Sequence, residues 1–294
     1  MIGASKCGTT SLHRYLSLHP QIASASIKET QYFVPLIYGE PLASLEDYAQ
    51  FFKDTGEAKY RIESTAGYLH GGAPLAEAMH AALGRPRLLL ILRDPVARVW
   101  SYYRYMKAQQ AIPATMELDE YLERCRAVEP RLPRTRSEDI FAALYGGVYA
   151  DYIEAWRPYA ETRLYVLFLE HLQADPARSL SELAAWLGVD SFAWESATLG
   201  VSNPSVMYRN AWVQRVAIEA NRVGERVWDR LPALKSWVRR AYYRLNGAEW
   251  EEAMSEEQRA WLQDFYTPHN HRLAALLEAR TPRPRLPSWL TQER

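Results

Sequence analysis

The stretch Gly3-Ala-Ser-Lys6-Cys7-Gly8-Thr9-Thr10 combines two glycines with four residues between them, one lysine and two threonines, directly ahead of an amphipathic segment. A turn of small residues running into a helix offers backbone N–H groups and the positive helix end to an anion. Thr9 and Thr10 add hydroxyl donors, and the Lys6 amine can reach a group leaving from a phosphate held there. A nucleoside triphosphatase loop reads G-x-x-x-x-G-K-[ST], with lysine directly after the second glycine. Here Thr9 holds that place and the lysine stands two residues before Gly8. Three readings remain: a loop for a different phosphate compound, an altered ATP loop, or a turn carrying a surface lysine.

A second anion-binding candidate lies in LRDPVARVWSYY. Arg93 closes the apolar run Leu88 to Leu92, the length of a fully buried strand. Parallel sheets place ligands beyond the carboxyl ends of their strands, and arginine suits bidentate phosphate contact. Asp94 then Pro95 reads as an N-cap with proline at the first helical position, and Ser101 follows along that helix. Alone, Arg93 reads equally well as a strand-end arginine paired with a carboxylate such as Asp94. A phosphate loop on a neighbouring strand favours the anion.

The elements that must hold these residues alternate between strand-like and helix-like segments, which predicts an α/β fold with a parallel sheet. TSLHRYLSLHP predicts a helix with Leu12 and Leu16 on one face, stopped at Pro20. Leu164 to Leu169 predicts a second buried strand, Asp175-Pro176 a helix start and Gly188 its end; Ser255 with Gln258 predicts a capping box. With 294 residues, 48% of them hydrophobic and 24% charged, the chain can bury a substantial core. It carries 35 basic and 35 acidic side chains, so any anion site is local, and a nucleic-acid-coating role is disfavoured. The two cysteines, Cys7 and Cys125, are too few for a disulfide framework and point to a cytoplasmic setting. No apolar run is long enough to span a membrane, and the N-terminus lacks a signal pattern. Only Met1 and Ile2 precede Gly3, so the strand that launches the loop looks nearly absent, and a start further upstream is expected.

Residues 1–294 read as one domain with polar or basic helical insertions near 107–147 and 206–247. The second carries nine Lys/Arg against three Asp/Glu between Arg209 and Arg244, with Trp212, Trp228 and Trp237 interleaved. An anionic membrane surface is one reading of that pattern. The favoured one is amphipathic helices with tryptophans in the core and arginines solvated, with peripheral membrane contact disfavoured.

Taken together, these residues resemble the sulfotransferases that use 3′-phosphoadenosine 5′-phosphosulfate (PAPS). GASKCGTTSLHRYLSLHP is similar to their 5′-phosphosulfate loop, and LLLILRDPVARVWSYYRYMK to their 3′-phosphate segment, matching at Arg93 and Ser101. The likeness continues through KETQYF, IESTAGYL, GGVYADYIEAW and DFYTPHNHRLAALLEA to Trp289, in the manner of the carbohydrate branch and of bacterial type. It implies a P-loop-like three-layer α/β fold with a central parallel sheet flanked by helices. It also implies sulfuryl transfer from PAPS to an acceptor hydroxyl, or less readily an amine, of a carbohydrate or small metabolite, leaving adenosine 3′,5′-bisphosphate without any metal. Gly8, Thr9, Thr10 and Ser11, with Cys7 beside them, would hold the 5′-phosphate, and Lys6 would stabilise charge on the leaving oxygen. Arg93 and Ser101 would grip the 3′-phosphate, assisted by Arg209, and Glu29 would take the acceptor proton.

The chain departs from heparan-type members in places. The histidine and aspartate after their Lys-Glu pair are Gln31 and Val34 here, and their Glu-Lys-[Ser/Thr]-Pro becomes Glu63-Ser64-Thr65-Ala66. Heparan itself is thereby disfavoured as acceptor. His70 is the alternative base, since histidine titrates near neutrality; His13, His19, His269 and His271 are expected to be structural or solvated. The competing functions are an ATP-dependent kinase, which lacks its Walker lysine, and a non-catalytic nucleotide-binding protein of the same fold.

Overall fold

The computed structural model describes residues 1–53, 55–128, 134–160, 163–194, 207–223, 238, 241–248, 250, 252–280 and 282–291. In chain order, α1 (Thr9–Leu16) and β1 (Ile22–Ser24) lead to α2 (Leu45–Ala49) and β2 (Tyr60–Ile62). Next come α3 (Gly72–Leu83), β3 (Leu88–Leu92), α4 (Pro95–Ala108), α5 (Leu118–Ala127) and α6 (Tyr149–Ala160). β4 (Leu164–Phe168), α7 (Leu169–Ala174) and α8 (Pro176–Leu187) follow, then β5 (Met207–Tyr208), α9 (Ala211–Val223), β6 (Gly247–Ala248) and a long helix, Glu256–Glu278.

β3 and β4 are parallel, with Leu88 opposite Leu164 and Leu92 opposite Phe168. β1 and β2 form a second parallel pair. The short segment before the loop does act as a strand. Ile2 N donates to Leu89 O at 2.9 Å, Ala4 N to Ile91 O at 2.8 Å and Ile91 N to Gly3 O at 2.9 Å. On its other side, Leu69 N donates to Ile2 O at 2.7 Å. Gly3–Gly8 and Arg93 therefore leave the carboxyl ends of adjacent parallel strands, where such sheets bind ligands.

All five β3 residues are buried, which is why its sequence is a continuous apolar run rather than an alternating one. Leu12 and Leu16 of α1 join them in the main core with Leu69, Leu75, Ile153, Trp156 and Leu273. Each such side chain contributes about 1.5–3 kcal/mol of burial free energy. The caps fall where the residue types demand: Asp94 Oδ1 accepts from Val96 N at 3.1 Å, Gly188 closes α8 at φ 67°, and Ser255 with Gln258 forms the capping box. β4 ends at Phe168, and Leu169 opens α7.

A second apolar cluster joins Val99 and Tyr103 of α4 to Tyr121, Leu122 and Cys125 of α5 and to Leu262 and Tyr266 of the long helix. The 107–147 insertion is thus packed against the frame through its described part. In the 206–247 segment the expectation of core tryptophans is corrected: Trp212 is 72% exposed. In α9, Trp212 and Val216 lie one turn apart on an outward face, while Gln214, Ala217 and Ile218 are half-buried. Trp228 and Trp237 lie outside the described residues. No helix among the described residues is long and apolar enough to cross a membrane.

Candidate active site

Gly8 is the N-cap of α1 and adopts φ 91°, a left-handed conformation that costs an L-residue roughly 1–2 kcal/mol. It has no side chain to cap the helix, and the first turn carries no acidic residue. The N–H groups of that turn are the ones an α-helix leaves without intrahelical partners, at its positive end. Thr10 is half-buried, whereas Thr9 and Ser11 are only 6% and 8% exposed. Gly8, Thr9 and Thr10 thus offer chiefly backbone groups and one accessible hydroxyl. Cys7 does not face this cradle, which corrects its expected place among the nucleotide contacts. Its thiol is buried 3.4 Å from Tyr149 Oη, and its N–H donates to Ala4 O at 3.2 Å. Burial pushes the thiol pKa up.

The two anion elements meet directly. Arg93 Nη1 donates to Lys6 O at 3.3 Å, and Tyr149 Oη donates to Arg93 O at 2.9 Å while touching the Cys7 thiol. Among the described residues Asp94 makes no ion pair with Arg93 but feels its charge; its side chain caps α4, and its N–H donates to Glu170 Oε1 at 2.8 Å. On α4, Arg98, Ser101 and Tyr105 stand at i, i+3 and i+7 and share one face. Arg98 bonds the loop at Ser5 O, and Tyr105 lies 4.3 Å beneath the Lys6 amine, so half-buried Ser101 is on the loop-facing side between them.

Four cations crowd this region. Burial, then Arg93, Arg104 and Arg98, lowers the Lys6 pKa from 10.5 to about 8. Arg104, whose own pKa is lowered by burial and by Arg93, stacks on Trp250 at 4.6 Å. A site that concentrates several positive charges around a helix N-terminus without a side-chain cap is suited to a multiply charged anion.

Glu29 is within electrostatic reach of the same region. It pairs with Lys28; burial, and then the Glu29 charge, raises the pKa of Tyr105, the tyrosine whose ring centroid lies 4.3 Å from the Lys6 amine. Lys6, Glu29 and Gln31 all have positive φ, at 68°, 65° and 56°. Non-glycine residues held in that region cost about 1–3 kcal/mol each and concentrate at functional sites. A buried network holds the turn: Glu63 Oε1 accepts from Thr30 Oγ1 at 3.0 Å and from Thr65 Oγ1 at 2.5 Å, and Gln31 N donates to Thr65 Oγ1 at 3.1 Å. Ser64, where heparan-type members carry lysine, lies 2.7 Å from His13 Nδ1. Burial, then Lys28, lowers the His13 pKa to about 4, so this imidazole is neutral.

Two expected residues stand apart. His70 is 7% exposed, with Nε2 3.3 Å from Gly146 O and its ring edge-on to Tyr152, and burial keeps its pKa well below 6.5. It is a core residue, which removes it as a base. Arg209 is exposed; its N–H donates to Asn246 O at 2.8 Å, and among the described residues no side-chain bond joins it to Arg93 or Ser101. The strand before it, β5, packs on α4, and Gln110 Nε2 reaches Ala211 O at 2.6 Å, which puts Arg209 beside that helix. Arg98, Arg104, Tyr105 and Tyr149 escaped the sequence reading. The first three share α4 with Ser101 and were open to a helical-face argument, whereas Tyr149 carried no local signal.

A phosphate cradle and a strand-end arginine on adjoining parallel strands define a nucleotide-binding α/β protein. The sulfotransferase domain family matches residues 1–274, and the chain belongs to that family. It is 25% identical over 301 residues to human bifunctional heparan sulfate N-deacetylase/N-sulfotransferase 2, and 27% over 304 to mouse enzyme 4. Each alignment covers 100% of this chain; the chain spans only 30% and 31% of those relatives' lengths. The crystal structure of a sulfotransferase from Alicyclobacillus acidocaldarius superposes with a TM-score of 0.66 at 21% identity, covering 98% of this chain and 96% of that one. The P-loop-like fold is therefore shared, and the family's chemistry is sulfuryl transfer.

Proposed function

We propose that this chain transfers a sulfuryl group from PAPS to a hydroxyl, less readily an amine, of a carbohydrate or small-metabolite acceptor. The observation that carries the reading is the junction of Lys6 and Arg93 at the ends of adjacent parallel strands, beside an uncapped helix N-terminus. The residues present fit the nucleotide: the α1 end and Thr10 for its 5′-phosphate, Arg93 and Ser101 for its 3′-phosphate, with Arg104 an added cation nearby. Bound there, the donor supplies the transferable sulfuryl group. Lys6, still mostly protonated at neutral pH, holds a proton for the oxygen that gains charge as the sulfur bond breaks. Glu29, whose charge reaches Tyr105, accepts the proton of the attacking acceptor. The strained loop and turn keep the two sides aligned, the main requirement for an in-line displacement. The relatives' names support a carbohydrate acceptor, while Gln31, Val34 and Ser64 argue against heparan itself.

Thermal stabilisation by adenosine 3′,5′-bisphosphate, compared with ATP plus magnesium, tests the donor reading, since a ligand specific for the folded state raises apparent stability. A clear shift with the bisphosphate is expected; a shift with ATP alone would overturn the assignment. A screen of carbohydrate and small-metabolite acceptors with labelled donor identifies the second substrate.

A further inference from the structure

Arg98, in the first turn of α4, is 1% exposed. Its Nε donates to Ser5 O at 3.0 Å and its Nη1 to Ala143 O at 2.8 Å, and its Cζ lies 5.5 Å from the Tyr102 ring centroid. The pocket is shaped to the guanidinium: a Cβ built on Gly146 would stand 2.7 Å from Nη2 and 3.2 Å from Cζ. Among the described residues no carboxylate pairs with it. Arginine keeps its charge in proteins, so this is a full positive charge whose partners are two carbonyls and a ring. Burying such a charge without a counter-ion is costly.

Ser5 belongs to the phosphate loop, one residue before Lys6, and Cys7 turns its thiol into the same core region. We propose that Arg98 is a positioning residue for the nucleotide: a buried counter-charge behind the loop that fixes the Ser5 carbonyl and is offset when a 5′-phosphate seats on the loop's open side. This rests on the donor reading above. Arg98 touches the loop rather than the ligand, so it acts through the backbone and through its field. That field also reaches Lys6, whose pKa Arg98 helps to lower. The free site is thereby held short of negative charge, which couples loop order to arrival of the anion.

Titration calorimetry on the full chain separates this role from simple packing. Wild type, Arg98→Met, Arg98→Lys and Gly146→Ala are titrated with adenosine 3′,5′-bisphosphate and with adenosine 3′-monophosphate, which lacks the 5′ group. Arg98→Met should weaken the bisphosphate by ~10-fold or more and leave the 3′-monophosphate within about twofold, with Arg98→Lys intermediate. Bisphosphate affinity equal to wild type in folded Arg98→Met, or equal losses for both ligands, overturns the proposal. Should Arg98→Met not fold, Gly146→Ala decides: its methyl displaces the guanidinium without removing charge and should cost bisphosphate affinity selectively. Unchanged bisphosphate binding there is likewise fatal. A wild type that ignores the bisphosphate would instead overturn the donor reading, so the two failures are distinguishable.

Discussion

Lys6 lends itself to a quantitative test because its environment opposes its charge until an anion arrives. Native Lys6 releases its proton from about pH 8, whereas in the unfolded chain it holds it to its ordinary value of 10.5. Between those values the unfolded state binds more protons, so stability of the nucleotide-free protein rises with pH. Below pH 8 the penalty is present in full. At about 1.36 kcal/mol per pH unit the ceiling is ~3 kcal/mol, and solvent screening of this partly exposed amine reduces it to about 1–2 kcal/mol. Lys6→Met removes the penalty. The variant should be the more stable protein at pH 7 by that amount, and its advantage should fade between pH 8 and pH 10.5. Urea unfolding of both proteins at pH 7, 8, 9 and 10, at low salt and without nucleotide, reads the difference and cancels other titrating groups. Saturating bisphosphate at pH 7 should reverse the order. A wild-type-to-variant gap independent of pH would refute the idea that this amine is held against its charge.

Gly8→Ala should cost about 1–2 kcal/mol of stability from its φ of 91° alone, together with bisphosphate affinity, because its Cβ would also fall 2.6 Å from Leu169 Cδ1. Denaturant melts and titration check both effects, and a neutral outcome would mean the loop tolerates a side chain there. Glu29→Gln should abolish sulfuryl transfer with bisphosphate binding near wild type; retained turnover in a labelled-donor assay would remove Glu29 as the base. His70→Gln should cost about 1–3 kcal/mol through its Gly146 contact while leaving the pH profile of transfer unmoved. Native His13 and His70 both resist protonation, so stability should fall as the pH drops below 6.5. His13→Asn should flatten part of that fall between 6.5 and about 4, which an acid-denaturation series would reveal.

Much of the frame was legible because its signals are short-range. The apolar run of β3, the Asp94-Pro95 start of α4, the Gly188 stop and the Ser255–Gln258 box each act within a few residues, and each element lies where its signal predicts. The loop was legible for the same reason, since glycines, lysine and threonines occupy one contiguous stretch. The overturned expectations concern side-chain direction. Cys7 turns inward because Tyr149, 142 residues away, meets its thiol. His70 is a core residue because Gly146, 76 residues on, covers it. Trp212 faces outward, contrary to its residue type, because α9 rests on the frame through Gln214, Ala217 and Ile218.

By itself, then, the sequence determined which segments become strands and helices and which residue types stand at the carboxyl ends of two strands. Periodicity, caps and glycine conformations depend on near neighbours along the chain, and those are written in order. Only the tertiary structure decided that Lys6 shares its space with Arg93, Arg98 and Arg104, that Tyr105 takes both the Lys6 amine and the charge of Glu29, and that a buried arginine bonds the loop at Ser5. A charge's behaviour depends on the sum of burial and fields around it, and those neighbours come from parts of the chain that only folding brings together.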